Sequence, residues 1–313
     1  MNCKYVIPAA TWCLLLLVMT CSHAAADTEL KRKVDSLFVI ASSGEVKYRD
    51  MVEPAKDSIA AIGADAVPIL VDKFTTKSAR ERWTIIKILE KIGSPAVPYL
   101  VTALKRPNGL VVQRVCWALG DIEDTAAVKP LISVTGHSRW QVRDQAVGAL
   151  GKIGDRRADE AAVVALRDPI GQVRKAAVVS CGKLTVEGSI EQLVHVLGDE
   201  FYGARLAAAE ALLKMDTGKV MAVLADSIES ENSFVGNLGC YILGEFGTDE
   251  AIELLMTQTV SPNADRRSHA TIAIIKADPQ DNCGYRQLLI DREADRLNRL
   301  KIESARNSAQ DVR

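Results

Sequence analysis

Aromatic residues make up only 5% of this 313-residue chain, although hydrophobic residues reach 48%. Ala, Leu, Val and Ile carry the apolar content, which suits helices packed closely through small side chains and argues against an aromatic-rich β-sandwich core. A surplus of one charge is also lacking. The 39 basic residues stand against 40 acidic ones, so there is no global basic field to hold a polyanion. Histidine is scarce: past the first 26 residues only His137, His195 and His269 remain, with no His-Glu dipeptide and no cysteine pair at zinc spacing. No metal and no cofactor are expected. There is no G-x-S-x-G elbow, and Ser227, beside Asp226, has no histidine near it in sequence. GKIGD at 151–155 lacks both the strand and the Gly-Lys-Ser/Thr of a phosphate loop. No catalytic residue is nominated, and the chain reads as non-enzymatic.

Residues 1–26 stand apart. Lys4 precedes an apolar run from Val6 to Cys21, and Ala24-Ala25-Ala26 offers small residues before a cut ahead of Asp27. This is the pattern of a signal peptide, with an apolar core short of the roughly 20 residues a membrane span needs. The chain is expected to be exported, periplasmic or secreted. A lipid anchor at Cys21 is the alternative, since VMTC resembles a lipobox with Thr20 at an atypical position. Cys116, Cys181, Cys240 and Cys283 lie beyond this segment.

What the chain has in place of motifs is a repeat. Leu89, Leu119, Leu150, Cys181, Leu212, Leu243 and Ile274 are spaced by 30 and then by 31 residues. Three residues later runs Ile92, Ile122, Ile153, Leu184, Met215, Phe246 and Ala277, with Ile62 a period earlier. Four residues before the first column stand Ile85, Val115, Ala146, Ala177, Ala208, Gly239 and Ala270. Those offsets share one face of a helix, with small residues where neighbours approach. A second helix follows in each period, its core marked by Leu70, Leu100, Leu131, Ala162, Leu193, Leu224 and Leu255. Pro68 and Pro98 fit its first turn, and Gly63, Gly93, Gly154 and Gly247 fit the end of the helix before it.

One helix pair cannot bury both faces alone, whereas stacked pairs can. The expected fold is all-α: a right-handed α-solenoid of about eight helix pairs with helical caps. Residues 27–45 form the N-terminal cap, 46–283 the array, and 284–313 the C-terminal cap and tail, with Leu288, Leu289, Leu297 and Leu300 on the last helix. No segment reads as a linker. The register keeps Cys116, Cys181 and Cys240 two or more units apart, too far for the roughly 7 Å Cα separation a disulfide allows. Only Cys240 with Cys283 is conceivable, and free buried thiols are favoured.

QVRDQAV at 141–147 with GALGKIGD at 148–155, QVRKAAVVSCGKL at 172–184 and GARLAAAEALLKM at 203–215 resemble the HEAT-like repeats of the phycobilin-lyase type. AVPILV at 66–71 and AVPYLV at 96–101 are similar to the start of that family's second helix. The resemblance covers nearly all of 46–290 and implies the solenoid and an interaction module rather than a chemistry. The family's deoxyhypusine hydroxylases carry repeated His-Glu iron ligands that this chain lacks. Its bilin lyases act on cytoplasmic proteins, which the leader contradicts. An accessory subunit of a lyase-like or other enzyme complex remains the alternative to a protein-binding scaffold.

Arg82, Arg143, Arg174, Arg205 and Arg267 recur seven residues before the core column, with Val112 and Gly236 breaking the series. An anion-binding ladder is one reading. The family's D-x5-R pattern, matched by Asp168 with Arg174 and Asp199 with Arg205, implies instead a structural ladder tying units together. The candidate protein-binding column lies two residues after the second-helix core: Asp72, Thr102, Ser133, Val164, His195, Asp226 and Thr257. It is polar, mostly uncharged and slightly acidic, which is poor for nucleic acid and acceptable for a protein. Trp140 and Tyr202, just before alternate first helices, are further candidates for partner contact, with packing over a loop as the competing reading. Trp83 has polar column neighbours and is expected at the surface. Trp117 and Tyr241 share another column and are expected in the core.

Overall fold

The computed structural model describes residues 26–277, 285, 287–294, 296–297 and 300, and every regular element among them is helical. The segment carrying Lys4, the apolar run and Cys21 lies outside the described residues, as does Cys283. Residues 26–41 form helix α1. There follow α2 (Val52–Ala60), α3 (Val67–Asp72), α4 (Ala79–Ile92), α5 (Val97–Ala103), α6 (Gly109–Ile122), α7 (Val128–Val134) and α8 (Trp140–Ile153). Next come α9 (Asp159–Ala165), α10 (Gly171–Leu184), α11 (Ile190–Val196) and α12 (Tyr202–Leu212). The series ends with α13 (Thr217–Ser227), α14 (Ser233–Phe246), α15 (Asp249–Gln258) and α16 (Ala264–Ala277). From α2 onward, even-numbered helices are the first helices of the repeats and odd-numbered ones the second. The architecture is therefore the all-α, HEAT-like helix-repeat solenoid that the periodicity predicts. None of these helices is long and apolar enough to cross a membrane.

The chain falls into two compact units, Met1–Ile153 and Gly154–Arg313. In each, the core is built from the columns read in the sequence. Leu89, Leu119 and Leu150 in the first unit, and Cys181, Leu212, Leu243 and Ile274 in the second, are buried. So are Leu70, Leu100 and Leu131, and Ala162, Leu193, Leu224 and Leu255, on the second helices. In the first unit α6 lies along α8, and in the second α10 along α12 and α14 along α16. Each of these close approaches uses a glycine one residue past the core column. A Cβ on Gly120 would stand 2.9 Å from Ala149 Cα, one on Gly182 2.9 Å from Ala211 Cβ, and one on Gly244 2.8 Å from Ala273 Cβ. The contact point thus lies five residues on from the small column the sequence pointed to. Gly239, in that earlier column, faces Leu224 and Ile228 of the preceding second helix at 3.5 Å instead.

Capping is written locally. Ser78, Asn108, Asp216, Asn232 and Thr248 each accept a backbone N–H from the first turn of the helix they precede. Gly63, Gly93, Gly154 and Gly247 take positive φ where helices end. Of the repeats without glycine there, two place Glu123 and Thr185 in the left-handed conformation, at φ 59° and 52°, while the end of α12 stays right-handed at Leu213, φ −64°.

Of the last helix, Leu289 is buried, while Leu288, Leu297 and Leu300 are exposed rather than packed. Arg292 holds this segment to α15, donating to Met256 O at 2.8 Å and Thr259 Oγ1 at 2.9 Å. Among the described residues of this segment, Leu289 and the Arg292 guanidinium make its attachment to α15.

Candidate protein-binding face

The turn that follows each second helix leaves carbonyls unpaired, and the arginine column answers them. Arg143 Nη1 donates to His137 O and Ser138 O, Arg205 Nη1 to Asp199 O and Glu200 O, and Arg267 Nη1 to Ser261 O and Pro262 O, at 2.7–3.3 Å. Arg82 Nη1 reaches Lys77 O, and Arg174 Nη1 reaches Asp168 O. Arg174 also grips Asp199 of the following repeat through two bonds of 2.6 and 2.7 Å, and both side chains are nearly buried. Burial opposes ionisation of Asp199, but the Arg174 bonds, the Phe201 N–H and the arginine charge outweigh it, so its pKa falls below the ordinary carboxylate value. The Asp168 carboxylate accepts the Ile170 N–H, closing its own turn.

Sequence reasoning missed what happens where the column breaks. Gly236 stands in an arginine position, and a Cβ there would lie 2.5 Å from Arg266 Nε. Arg266, buried on the next first helix, fills that space and donates to Ser230 O at 2.6 Å. Ser230 lies six residues before Gly236, so a guanidinium from the neighbouring repeat caps the carbonyl that the missing arginine would have taken. In the first unit Arg114, also buried, reaches back to Phe74 O and Thr76 O. The break at Gly236 was the available signal for Arg266, whereas Arg114 serves the turn before Arg82, where the column is unbroken.

The column Asp72, Thr102, Ser133, Val164, His195, Asp226 and Thr257 is exposed throughout. Its hydroxyls bond back to their own helices: Thr102 Oγ1 to Pro98 O, Ser133 Oγ to Pro130 O and Thr257 Oγ1 to Leu254 O, at 2.7–3.0 Å. Each spends its proton there and keeps acceptor capacity outward. Asp72 pairs with Arg106 Nη1 at 2.6 Å. Two further columns share this outward face, four residues before and three after. The first unit adds Pro68, Pro98 and Lys129 before, and Thr75, Lys105 and Gly136 after, all exposed. The second unit adds Glu160, Glu191, Ala222 and Glu253 before, with Arg167, Gly198, Glu229 and Val260 after. Clefts open along the face within each unit. One of about 650 Å³, between α3 and α5, is lined by Pro68, Val71, Pro98, Tyr99 and Thr102. Another of about 420 Å³, between α9 and α11, is lined by Leu166, Arg167, Glu191, Gln192, His195 and Val196.

The first helices carry the aromatics. Tyr202, 66% exposed, and Phe234 flank Arg205, whose guanidinium carbon lies 5.5 Å and 4.0 Å from their ring centres. Trp140 is half-buried at the start of α8. Trp83, 49% exposed, meets the half-buried Trp117 with ring centres 6.0 Å apart. Tyr241, expected in the core, is 42% exposed under Lys276. The column of Trp117 and Tyr241 lies two residues before the core leucine, at the edge of the buried stripe. Rings too large to turn inward rest on the surface there.

Cys116, Cys181 and Cys240 are buried free thiols. Burial pushes Cys116 and Cys240 up to about 12 and Cys181 to about 11. Among the described residues no group of three or more His, Cys, Asp or Glu could hold a metal ion.

The sequence matches the family model for HEAT repeats at residues 97–181, 128–213 and 190–275, more than half of the chain. The chain belongs to the HEAT-repeat family. No curated protein sequence matches it significantly. Among solved structures it is similar to the YibA protein of Escherichia coli, at 18% identity and a TM-score of 0.48, covering 82% of this chain and 96% of that one. It is also similar to the complex of CpcE and CpcF of phycocyanin lyase from Nostoc sp. PCC7120, at 22% identity and a TM-score of 0.37, covering 71% and 92%. Human deoxyhypusine hydroxylase matches at 16% identity and a TM-score of 0.36, covering 72% and 99%.

Proposed function

We propose that this HEAT-repeat chain is an exported, non-enzymatic scaffold that binds another protein along the outward face of its second helices. The observation that carries this reading is the make-up of that face. Three helical columns, exposed but for the half-buried Gly198, with small groups such as Thr102, Ser133, Gly136, Ala222 and Thr257, run beside clefts floored by apolar side chains. A partner can lie flat on such a surface and seat side chains in the clefts, which is how extended repeat surfaces gain area without an enclosed pocket. On the competing surface, that of the first helices, Trp83, Tyr202, Phe234 and Tyr241 are engaged by Lys87, Arg205 and Lys276. Export rests on Lys4, the apolar run and the alanines before Asp27. A mature chain that begins at Cys21 would make it a lipid-anchored envelope component instead.

The test is affinity capture from the native envelope extract, using the chain and a variant with Thr102→Arg, Ser133→Arg and Thr257→Arg. One protein captured by the first and lost with the second, with matching helical circular dichroism, is the expected result. Capture of the same protein by both would move the binding face to Trp140 and Tyr202. A coloured or metal-containing molecule in place of a protein would favour an enzyme's accessory subunit.

A further inference from the structure

The outward face of the second helices is not electrically uniform. In the first unit its three columns carry Lys105, Lys129 and a single acid, Asp72, already paired with Arg106. In the second unit the same columns carry Glu160, Glu191, Asp226, Glu229 and Glu253 against Arg167 and His195. All five acids are exposed, and none forms an ion pair among the described residues. Five like charges on one surface repel one another, so the folded unit holds them at a cost that an oppositely charged partner removes.

The cleft between α9 and α11 supplies a second, independent observation. Leu166 and Val196 give it apolar walls, Glu191 and His195 stand at its rim on one side and Arg167 on the other. Gln192 also lines it. A cationic side chain on an apolar stem fits this cleft: the stem lies along Leu166 and Val196, and the head reaches the Glu191 carboxylate. Lysine and arginine have that form.

We propose, on the footing that this face binds protein, that the segment docking on the second helices of Gly154–Arg313 is a cationic polypeptide, one of whose lysine or arginine side chains enters the cleft between α9 and α11. The charge on the face draws the segment in and the cleft fixes its register.

The experiment is fluorescence anisotropy on the full chain with a fluorescein-labelled octapeptide of alternating alanine and lysine, and with its glutamate-for-lysine twin. The lysine peptide is expected to bind, more weakly as salt rises from about 50 to about 200 mM, and its twin is expected not to bind. Glu191→Lys with Glu253→Lys should weaken binding by roughly tenfold or more. Gln192→Trp, which fills the cleft and leaves every charge in place, should weaken it by roughly fivefold. Glu210→Lys with Asp265→Lys, the same charge change placed on first helices, should leave affinity within about twofold, since those sites share no contact with the docked segment. Circular dichroism of each variant controls for folding. Three results would overturn the idea: no binding of the lysine peptide at about 1 mM, equal binding of both peptides, or a first-helix pair that weakens binding as much as the second-helix pair. An unchanged affinity in Gln192→Trp would remove the cleft from it. A protein captured through Thr102, Ser133 and Thr257 while the lysine peptide finds no site would leave the binding face standing and sink its cationic specificity. Peptide binding without any captured protein would do the reverse.

Discussion

Arginines decide how one repeat closes on the next. Their recurrence was legible in the sequence, but their partners were not, because backbone carbonyls leave no trace in a residue pattern. Arg266 makes the point testable. Arg266→Ala removes a buried guanidinium and leaves Ser230 O without its donor, so a loss of about 2 kcal/mol is expected. Gly236→Arg alone should also destabilise, since its side chain meets Arg266 at once. The double variant restores the ordinary column arginine in cis and should recover most of the loss. Urea titration of the three variants checks it, and a double variant as unstable as the sum of the singles would show that Arg266 does something else.

Arg174 and Asp199 carry a pH signature. Asp199's pKa is lowered in the folded chain, by its hydrogen bonds and the arginine charge against the penalty of burial. The pair therefore stabilises fully above the ordinary carboxylate range, and that stability is lost as pH falls through the lowered folded value. Asp199→Ala should cost about 3 kcal/mol at pH 7, with the gap to the natural chain closing toward pH 2. Denaturant midpoints measured from pH 7 to pH 2 give the comparison, and a constant gap would refute it.

At the scale of the element, α2, α4, α6, α8, α10 and α14 end in a left-handed residue, and the repeats differ in what they place there. Glycine does so freely, but Thr185, β-branched at φ 52°, is strained. Thr185→Gly is expected to stabilise by about 0.5–1 kcal/mol, and it should raise the midpoint of unfolding. A drop instead would mean that the methyl or hydroxyl of Thr185 makes up the strain elsewhere. The helices themselves were readable from the period of 30–31 residues because one face of each is buried against its neighbours. What the period could not tell was the exact contact point. The small column at Ala146, Ala177 and Ala208 and the glycine column at Gly120, Gly182 and Gly244 share the same broad apolar face. Only geometry shows that the backbones meet at the second. Trp117 and Tyr241 were misplaced for a similar reason: a position at the margin of a buried stripe admits a small residue inward and turns a large ring outward.

For the whole molecule, the buried columns are a property of repetition, while the binding face is a property of departures from it. The central column of that face, from Asp72 to Thr257, could be found by counting from the core leucines. Its flanking columns and their change from Lys105 and Lys129 to Glu160, Glu191, Glu229 and Glu253 became visible only when the short second helices showed which offsets face outward. The thiols follow the same division. Cys116, Cys181 and Cys240 sit in the repeating interior, and their raised pKa values keep them protonated and slow. In the folded chain these three should resist a water-soluble thiol reagent at pH 8 and react once urea unfolds it, as read by peptide mass spectrometry. Fast labelling of any of them in the native chain would contradict the burial.

The most direct measurement is hydrogen–deuterium exchange on the chain alone and bound to the protein it captures. Protection is expected on α3, α5, α7, α9, α11, α13 and α15, the helices that carry the outward columns. Protection confined to the outer faces of α4, α6 and α14, around Trp83, Trp117 and Tyr241, would contradict the account.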